Sequence, residues 1–195
     1  MMSKLVKVCL IIVLLVSPGQ GAEDPAISLT RQVRDEVLSL LRNKSNSLAQ
    51  RRQAIKDIME KYFNMDEIGK FVLGIHWKKA TPQQQKEFLR LFRDVLADNY
   101  ASQFNNYGNE EVIIQRSKPG SGGGILVIGQ IKRPTGQPVE IAWLLRKKDG
   151  KLRIFDVIVE GASMSQTLRS EYATRFTKSG NTIEGLLSTM QAELN

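Results

Sequence analysis

Apolar positions recur every three to four residues over most of this chain, and they crowd into short runs only between about residues 112 and 160. A period near 3.6 marks the buried face of a helix, and short alternating or continuous apolar runs mark strands. The pattern therefore predicts helices, then strands, then helices. Val33, Val37, Leu40 and Leu41 make one stripe of a first helix over about Leu29–Leu41, which the polar stretch Arg42–Ser47 interrupts. Ile55, Ile58, Met59, Tyr62 and Phe63 mark a second helix. Asn64 and Asp66 read as a turn and the N-cap of a short third helix ending near Gly74.

Thr81-Pro82-Gln83-Gln84 is a strong helix start. Thr81 can cap, Pro82 suits the first helical position, and Gln84 completes a capping box. The helix it opens carries Phe88, Leu91, Phe92, Val95, Leu96, Tyr100 and Phe104 along one face. That stripe fits a packed core, and its aromatic content also fits the wall of an apolar cavity.

Four strands are expected next, over Val112–Gln115, Gly124–Ile131, Val139–Arg146 and Leu152–Glu160. Pro119-Gly120, Pro134-Thr135-Gly136 and Asp149-Gly150 separate them, and such residues form turns. Short connections require antiparallel pairing, so the strands should form a meander. Ile125-Leu126-Val127-Ile128 and Val157-Ile158-Val159 place large aliphatics on both faces, and Leu144 interrupts the polar side of the third strand. A sheet apolar on both faces must be covered on both or must face a cavity. The sequence leaves both solutions open. After Gly161, Met164, Leu168, Tyr172 and Phe176 fall four apart on one helix, which Gly180 ends. Ile183, Leu186, Leu187, Met190 and Leu194 form a last helix. The expected fold class is α+β.

The N-terminus changes the picture of where this domain works. Lys4 and Lys7 precede an unbroken apolar run, Val8–Val16, followed by Ser17, Pro18, Gly19 and Gly21. This is the three-part pattern of a secretory signal peptide, with cleavage expected after Gly21. The run is shorter than the ~18 residues that span a bilayer. The division is therefore 1–21 as signal peptide and 22–195 as one domain. Cys9, the only cysteine, would leave with the leader, which excludes thiol chemistry, disulfides and thiolate metal sites from the mature chain. The formal charge is +8 overall and +6 once Lys4 and Lys7 are gone. A positive excess favours lipid headgroups, nucleic acid or an acidic protein face. Secretion argues against nucleic acid.

Candidate chemistry is sparse. His76 is the only histidine, so a site of several histidines within one chain is excluded, and no metal or cofactor is expected. Asp156 and Glu160 would share one face of the last strand, but roughly 13 Å apart, too wide for acid–base partnership. Asp156 is better suited to an arginine or a turn. Gly120–Gly124 leads into a strand rather than a helix and lacks a following Gly-Lys-Ser/Thr, so it reads as a hairpin turn. Ser163 and Ser165 lack the spacing of a nucleophile elbow. No catalytic residue is assigned. The main resource left is organised apolar surface, which points to a hydrophobic ligand.

Three ordered motifs resemble one family. Asn64-Met65-Asp66, Phe71-Val72-Leu73-Gly74, His76-Trp77-Lys78-Lys79-Ala80-Thr81-Pro82, Gln84-Gln85, Phe88, Phe92-Arg93 and Tyr100 form the first. Phe155 through Met164 form the second, and Arg169-Ser170-Glu171-Tyr172 with the segment Gly180–Leu187 the third. Together they resemble the MlaC family, also called the toluene-tolerance or Ttg2-type family, the auxiliary component of lipid ABC transport. The resemblance runs from about residue 28 to near the end.

The resemblance implies a periplasmic phospholipid shuttle on a nuclear-transport-factor-like (NTF2-like) α+β cone with extra helices and an apolar cavity. It implies a role in outer-membrane lipid asymmetry. It also implies exchange with an outer-membrane lipoprotein complex and with a membrane-anchored MCE-domain subunit of an inner-membrane ABC transporter. A hopanoid-associated carrier of the same family is an alternative. A non-catalytic periplasmic adaptor, and an enzyme using Asp156 and His76 on a related fold, remain open as well. A monomer is expected. The expected cavity lining is Val72, Leu73, Phe92, Leu96, Tyr100, Val127, Ile141, Trp143, Ile158 and Met164. Met164 and Met190 would give plastic walls, and Lys78, Lys79 and Arg169 are candidates for phosphate or an acidic partner at the mouth.

Overall fold

A computed structural model describes residues 23–102 and 109–195. The expected leader, 1–21, with Cys9, and the expected stripe residue Phe104 lie outside the described residues. No helix among those described is long and apolar enough to cross a membrane.

Local capping sets the helix starts. Helix α1 spans Pro25–Arg42, starting four residues before the expected Leu29, because Asp24 accepts from the backbone N–H of Ala26 at 2.8 Å and Pro25 occupies the first helical position. Helix α2 (Leu48–Tyr62) opens on a reciprocal box: Gln50 N–H donates to the Ser47 hydroxyl, and Ser47 N–H donates to the Gln50 side chain. Helix α3 (Met65–Leu73) is capped by Asn64, whereas Asp66 sits inside its first turn and pairs with Arg93. A 3-10 turn, Gly74–Lys79, follows and was not anticipated. Helix α4 (Pro82–Ser102) begins with the expected Thr81–Gln84 box. After the sheet come α5 (Met164–Lys178) and α6 (Ile183–Glu193).

The sheet is an antiparallel meander in chain order: β1 (Glu111–Pro119), β2 (Ile125–Lys132), β3 (Val139–Lys148), β4 (Lys151–Val159) and β5 (Ala162–Ser163). The fifth strand corrects the expected four; two residues carry no pattern to reveal it. β1 runs four residues past the expected end at Gln115, because Gln115 is a bulge there and interrupts the alternation. Glu160 lies outside β4, in the turn to β5 at φ 49°, so it does not share a strand face with Asp156.

Both faces of the sheet are covered. One face presents Ile114, Val127, Ile141, Trp143, Leu145 and Ile154 to Ala26 and Val33 of α1 and to Tyr62. The other presents Leu144 and Phe155 to a larger core built by α2 to α6, with Phe88, Leu91, Phe92, Leu186 and Met190 at its centre. Leu144, which spoiled a polar face in the sequence, belongs to this second core. Helix α2 lies on α4, α3 on α5, and α4 on α6.

Candidate functional site

A cavity of about 400 Å³ lies between the helices and the edge region of β4, within the size range of small-molecule pockets. Each helix contributes residues three or four apart, so one face of each turns inward. These are Val37, Leu40 and Leu41 of α1; Ile55, Ile58 and Met59 of α2; Met65 and Ile68 of α3; Leu96 and Tyr100 of α4; and Met164, Ser165 and Leu168 of α5. Phe63 joins them from the α2–α3 link, where its backbone pairs with Ile154 of β4. Fourteen of the seventeen lining residues are apolar, which leaves Tyr100, Asp156 and Ser165 as the polar ones.

The sheet supplies only β4. Leu144 pairs with Asp156 and Leu145 with Ile154, so Phe155 is an extra, unpaired residue and β4 bulges there. The bulge breaks strict alternation, and the consecutive residues Phe155, Asp156 and Val157 all reach the cavity. Asp156 is buried but its charge is engaged. It accepts from the Ser163 hydroxyl at 2.5 Å and from the Ser165 backbone N–H at 2.9 Å, at the start of α5. A carboxylate there meets free N–H donors and the positive end of the helix dipole. Burial pushes the Tyr100 phenol above its ordinary value, with the Glu171 charge adding to the effect, so it stays neutral.

His76 lies away from this wall. Its ring stacks on Phe176 with centroids 3.7 Å apart, and burial, followed by the Lys79 charge, holds its pKa below the ordinary value. No group of three or more His, Cys, Asp or Glu residues that could hold a metal occurs among the described residues. Gly120–Gly124 closes the β1–β2 hairpin, with Gly120 N–H donating to the Gly124 carbonyl at 2.8 Å.

Of the ten residues expected to line a pocket, Leu96, Tyr100 and Met164 stand on the cavity wall. Val72, Leu73 and Phe92 are buried in the helical core, with Phe92 edge-on to Tyr172. Val127, Ile141 and Trp143 are buried in the core beneath α1. Ile158 pairs with Ala142 and Ser163 and is half-buried outside the cavity lining. The cavity follows the β4 side rather than the sheet centre because α1 packs over β1 and β2, closing the core that Val127, Ile141 and Trp143 share with Ala26 and Val33. Met190 is fully buried in the helical core, while Met59 and Met65 join Met164 on the wall. The stripes of α1 and α2 were visible as periodicity, but nothing in a periodicity separates a side chain facing a void from one facing a neighbour.

A second, shallower groove lies outside β4. Lys78 and Arg169, two of the three expected basic residues, line it with Lys70, Phe71, Trp77 and Glu67; Lys79 is exposed outside that lining. Phe155 lines both the groove and the cavity.

Known proteins resemble this chain over most of its length. It is 25% identical over 185 residues to an intermembrane phospholipid transport system binding protein MlaC of Haemophilus influenzae, covering 91% of this chain and 86% of that one. It is 23% identical over 132 residues to the toluene tolerance protein ttg2D of Pseudomonas putida, covering 67% of this chain and 61% of that one. Its fold matches a phospholipid-binding protein from Ralstonia solanacearum, solved in complex with a phospholipid, with a TM-score of 0.74 at 20% identity over 88% of this chain and 99% of the other. The family model described as MlaC protein matches residues 31–192. With the three motifs, the meander and the cavity in place, the match over nearly the whole described region settles the assignment: the chain belongs to the MlaC family.

Proposed function

We propose that this protein is a periplasmic phospholipid carrier that shelters acyl chains in the cavity beside β4. The observation that carries the reading is a deep, partly open apolar space whose one carboxylate, Asp156, is already occupied by Ser163 and Ser165. Each methylene moved out of water gains about 0.8 kcal/mol, so a chain of a dozen methylenes gains roughly 10 kcal/mol. A methylene occupies about 30 Å³, close to the volume share of a water molecule. The cavity therefore accommodates roughly one acyl chain as it stands, and a second requires the walls to spread. Met59, Met65 and Met164 suit that demand, because a thioether side chain repacks at low cost.

The names of the relatives support phospholipid as the ligand. Delivery between an outer-membrane lipoprotein complex and an MCE-domain subunit of an inner-membrane ABC transporter is the proposed route, with 1–21 as the export signal and a monomer as the working form. A carrier needs no catalyst. Asp156 serves the fold, and His76 serves packing against Phe176.

The test is mass spectrometry of protein purified under native conditions from an expressing bacterium. Phospholipid at a fixed ratio to protein is expected. Protein that stays empty after incubation with phospholipid vesicles would refute the carrier reading.

A further inference from the structure

Phe155 is the partition between two spaces of opposite character. On its inner side is the apolar cavity; on its outer side is the groove lined by Lys70, Lys78 and Arg169, with Glu67 as the groove's lone carboxylate. The Phe155 ring meets the Phe71 ring edge-on at 5.9 Å, and the Arg146 guanidinium covers it at 4.0 Å.

Arg169 is held in this groove by three features. Its Nη1 donates to the Phe71 carbonyl at 3.2 Å. Its guanidinium lies 4.9 Å from the centre of the Phe71 ring, within cation–π range. Gly74, at φ 60°, leaves the room it needs, since a Cβ there would stand 3.1 Å from Nη2. Yet Arg169 has no carboxylate partner among the described residues, and neither Lys70 nor Lys78 forms an ion pair there. Other arginines of comparable burial are paired, Arg175 with Glu171 and Glu193 and Arg34 with Asp35, whereas Arg169 keeps donors free while fixed in the groove by Phe71. A stacked guanidinium with spare donors in a groove of uncompensated positive charge is suited to an oxyanion with several acceptor oxygens.

We propose that this groove is a phosphate subsite. It receives the headgroup phosphate of the lipid whose chain fills the cavity, with Arg169 making the direct contact and Lys70 and Lys78 supplying the surrounding charge. The glycerol passes at Phe155, the buried residue the two spaces share, whose ring must turn aside to admit it. This proposal rests on the carrier reading above and adds a selectivity to it: the protein distinguishes a phospholipid from a phosphate-free lipid with the same chains.

The experiment compares phosphatidylglycerol with diacylglycerol, both carrying the same fluorescent acyl chain, on wild type, Arg169→Gln and the double variant Lys70→Gln/Lys78→Gln. Loss of one charge-assisted contact should weaken phosphatidylglycerol binding by about tenfold or more in Arg169→Gln. Diacylglycerol should bind wild type and variant within about twofold of each other, which also verifies that the variant is folded. The double variant should show the same selectivity in smaller measure. Equal losses for both lipids, or no loss for either, would overturn the subsite. Wild type that binds neither lipid would instead overturn the carrier reading. Inorganic phosphate forms the second arm. It should not bind lipid-free protein measurably; binding abolished by Arg169→Gln would assign the groove to free phosphate and overturn the headgroup reading.

Discussion

The Asp156 carboxylate accepts the backbone N–H of Ser165 at 2.9 Å, tying the bulge of β4 to the first turn of α5. The same carboxylate takes the Ser163 hydroxyl, and Ser163 in turn accepts Gln166 N–H at 3.1 Å as the N-cap. One buried charge thus organises a helix start and one wall of the cavity.

Asp156→Ala should cost about 2 kcal/mol, the loss of a charge-assisted bond with a buried N–H left unpaired. For a domain of this size the midpoint of thermal unfolding should fall by roughly 4–8 °C. Circular dichroism during heating measures it. An unchanged midpoint accompanied by loss of a chemical activity would point to catalysis instead of support.

The two apolar regions should respond in opposite ways to substitution. Ile58→Trp, on the half-buried part of the cavity wall, fills space and should reduce lipid loading several-fold with little change in melting. Leu145→Ala, fully buried beneath α1, should cost about 3 kcal/mol and leave the lipid bound per folded molecule unchanged. Lipid quantified by mass spectrometry, set beside unfolding midpoints, separates these effects. A loading defect in Leu145→Ala would show that the core beneath α1 also takes part in holding the ligand.

His76 should make stability sensitive to mild acid. Burial lowers its folded pKa below the ordinary 6.5, so the unfolded chain takes up the proton first. Its stabilising effect is complete above about pH 7 and declines as pH falls through 6.5 toward the lower folded value. The melting temperature should therefore drop more between pH 7.5 and 5.5 in wild type than in His76→Gln. Parallel curves would rule out this histidine as the source.

Gly74→Ala should be costly for two reasons. The position has φ 60° and ψ −127°, a conformation that disfavours any Cβ, and the added carbon would press on Arg169. A penalty of about 1–3 kcal/mol is expected, with weakened binding of anionic lipid at temperatures where the variant remains folded. Thermal melting and the fluorescent-lipid titration together check it.

What the sequence revealed followed the range of each signal. The Thr81–Gln84 box, the α5 stripe and the meander rest on neighbouring residues and were legible. Asp24-Pro25 and Ser47-Leu48-Ala49-Gln50 carry equally local capping signals, but the apolar stripe of α1 begins later than its cap, so periodicity alone puts the helix start too late. The bulges at Gln115 and Phe155 have no residue type that announces them, since each depends on the partner strand. Cavity placement was the least legible. Trp143 and Val127 looked like pocket walls because they are large, apolar and on a sheet, yet α1 fills the space over them. Leu40 and Ile55, which the sequence marks only as members of helical stripes, face the void.

The unpaired Phe155 also imposes a rule on insertions and deletions. The hairpin tips at Pro134–Gly136 and Asp149–Gly150 are exposed and can lengthen or shorten without shifting the phase of a strand. A single residue gained or lost between Lys151 and Phe155 would rotate every following side chain of β4 to the opposite side. Asp156 would then turn from α5, and the ring separating grease from charge would leave its post. Homologous chains should accordingly vary in length at the hairpin tips while holding this short stretch of β4 to a constant count.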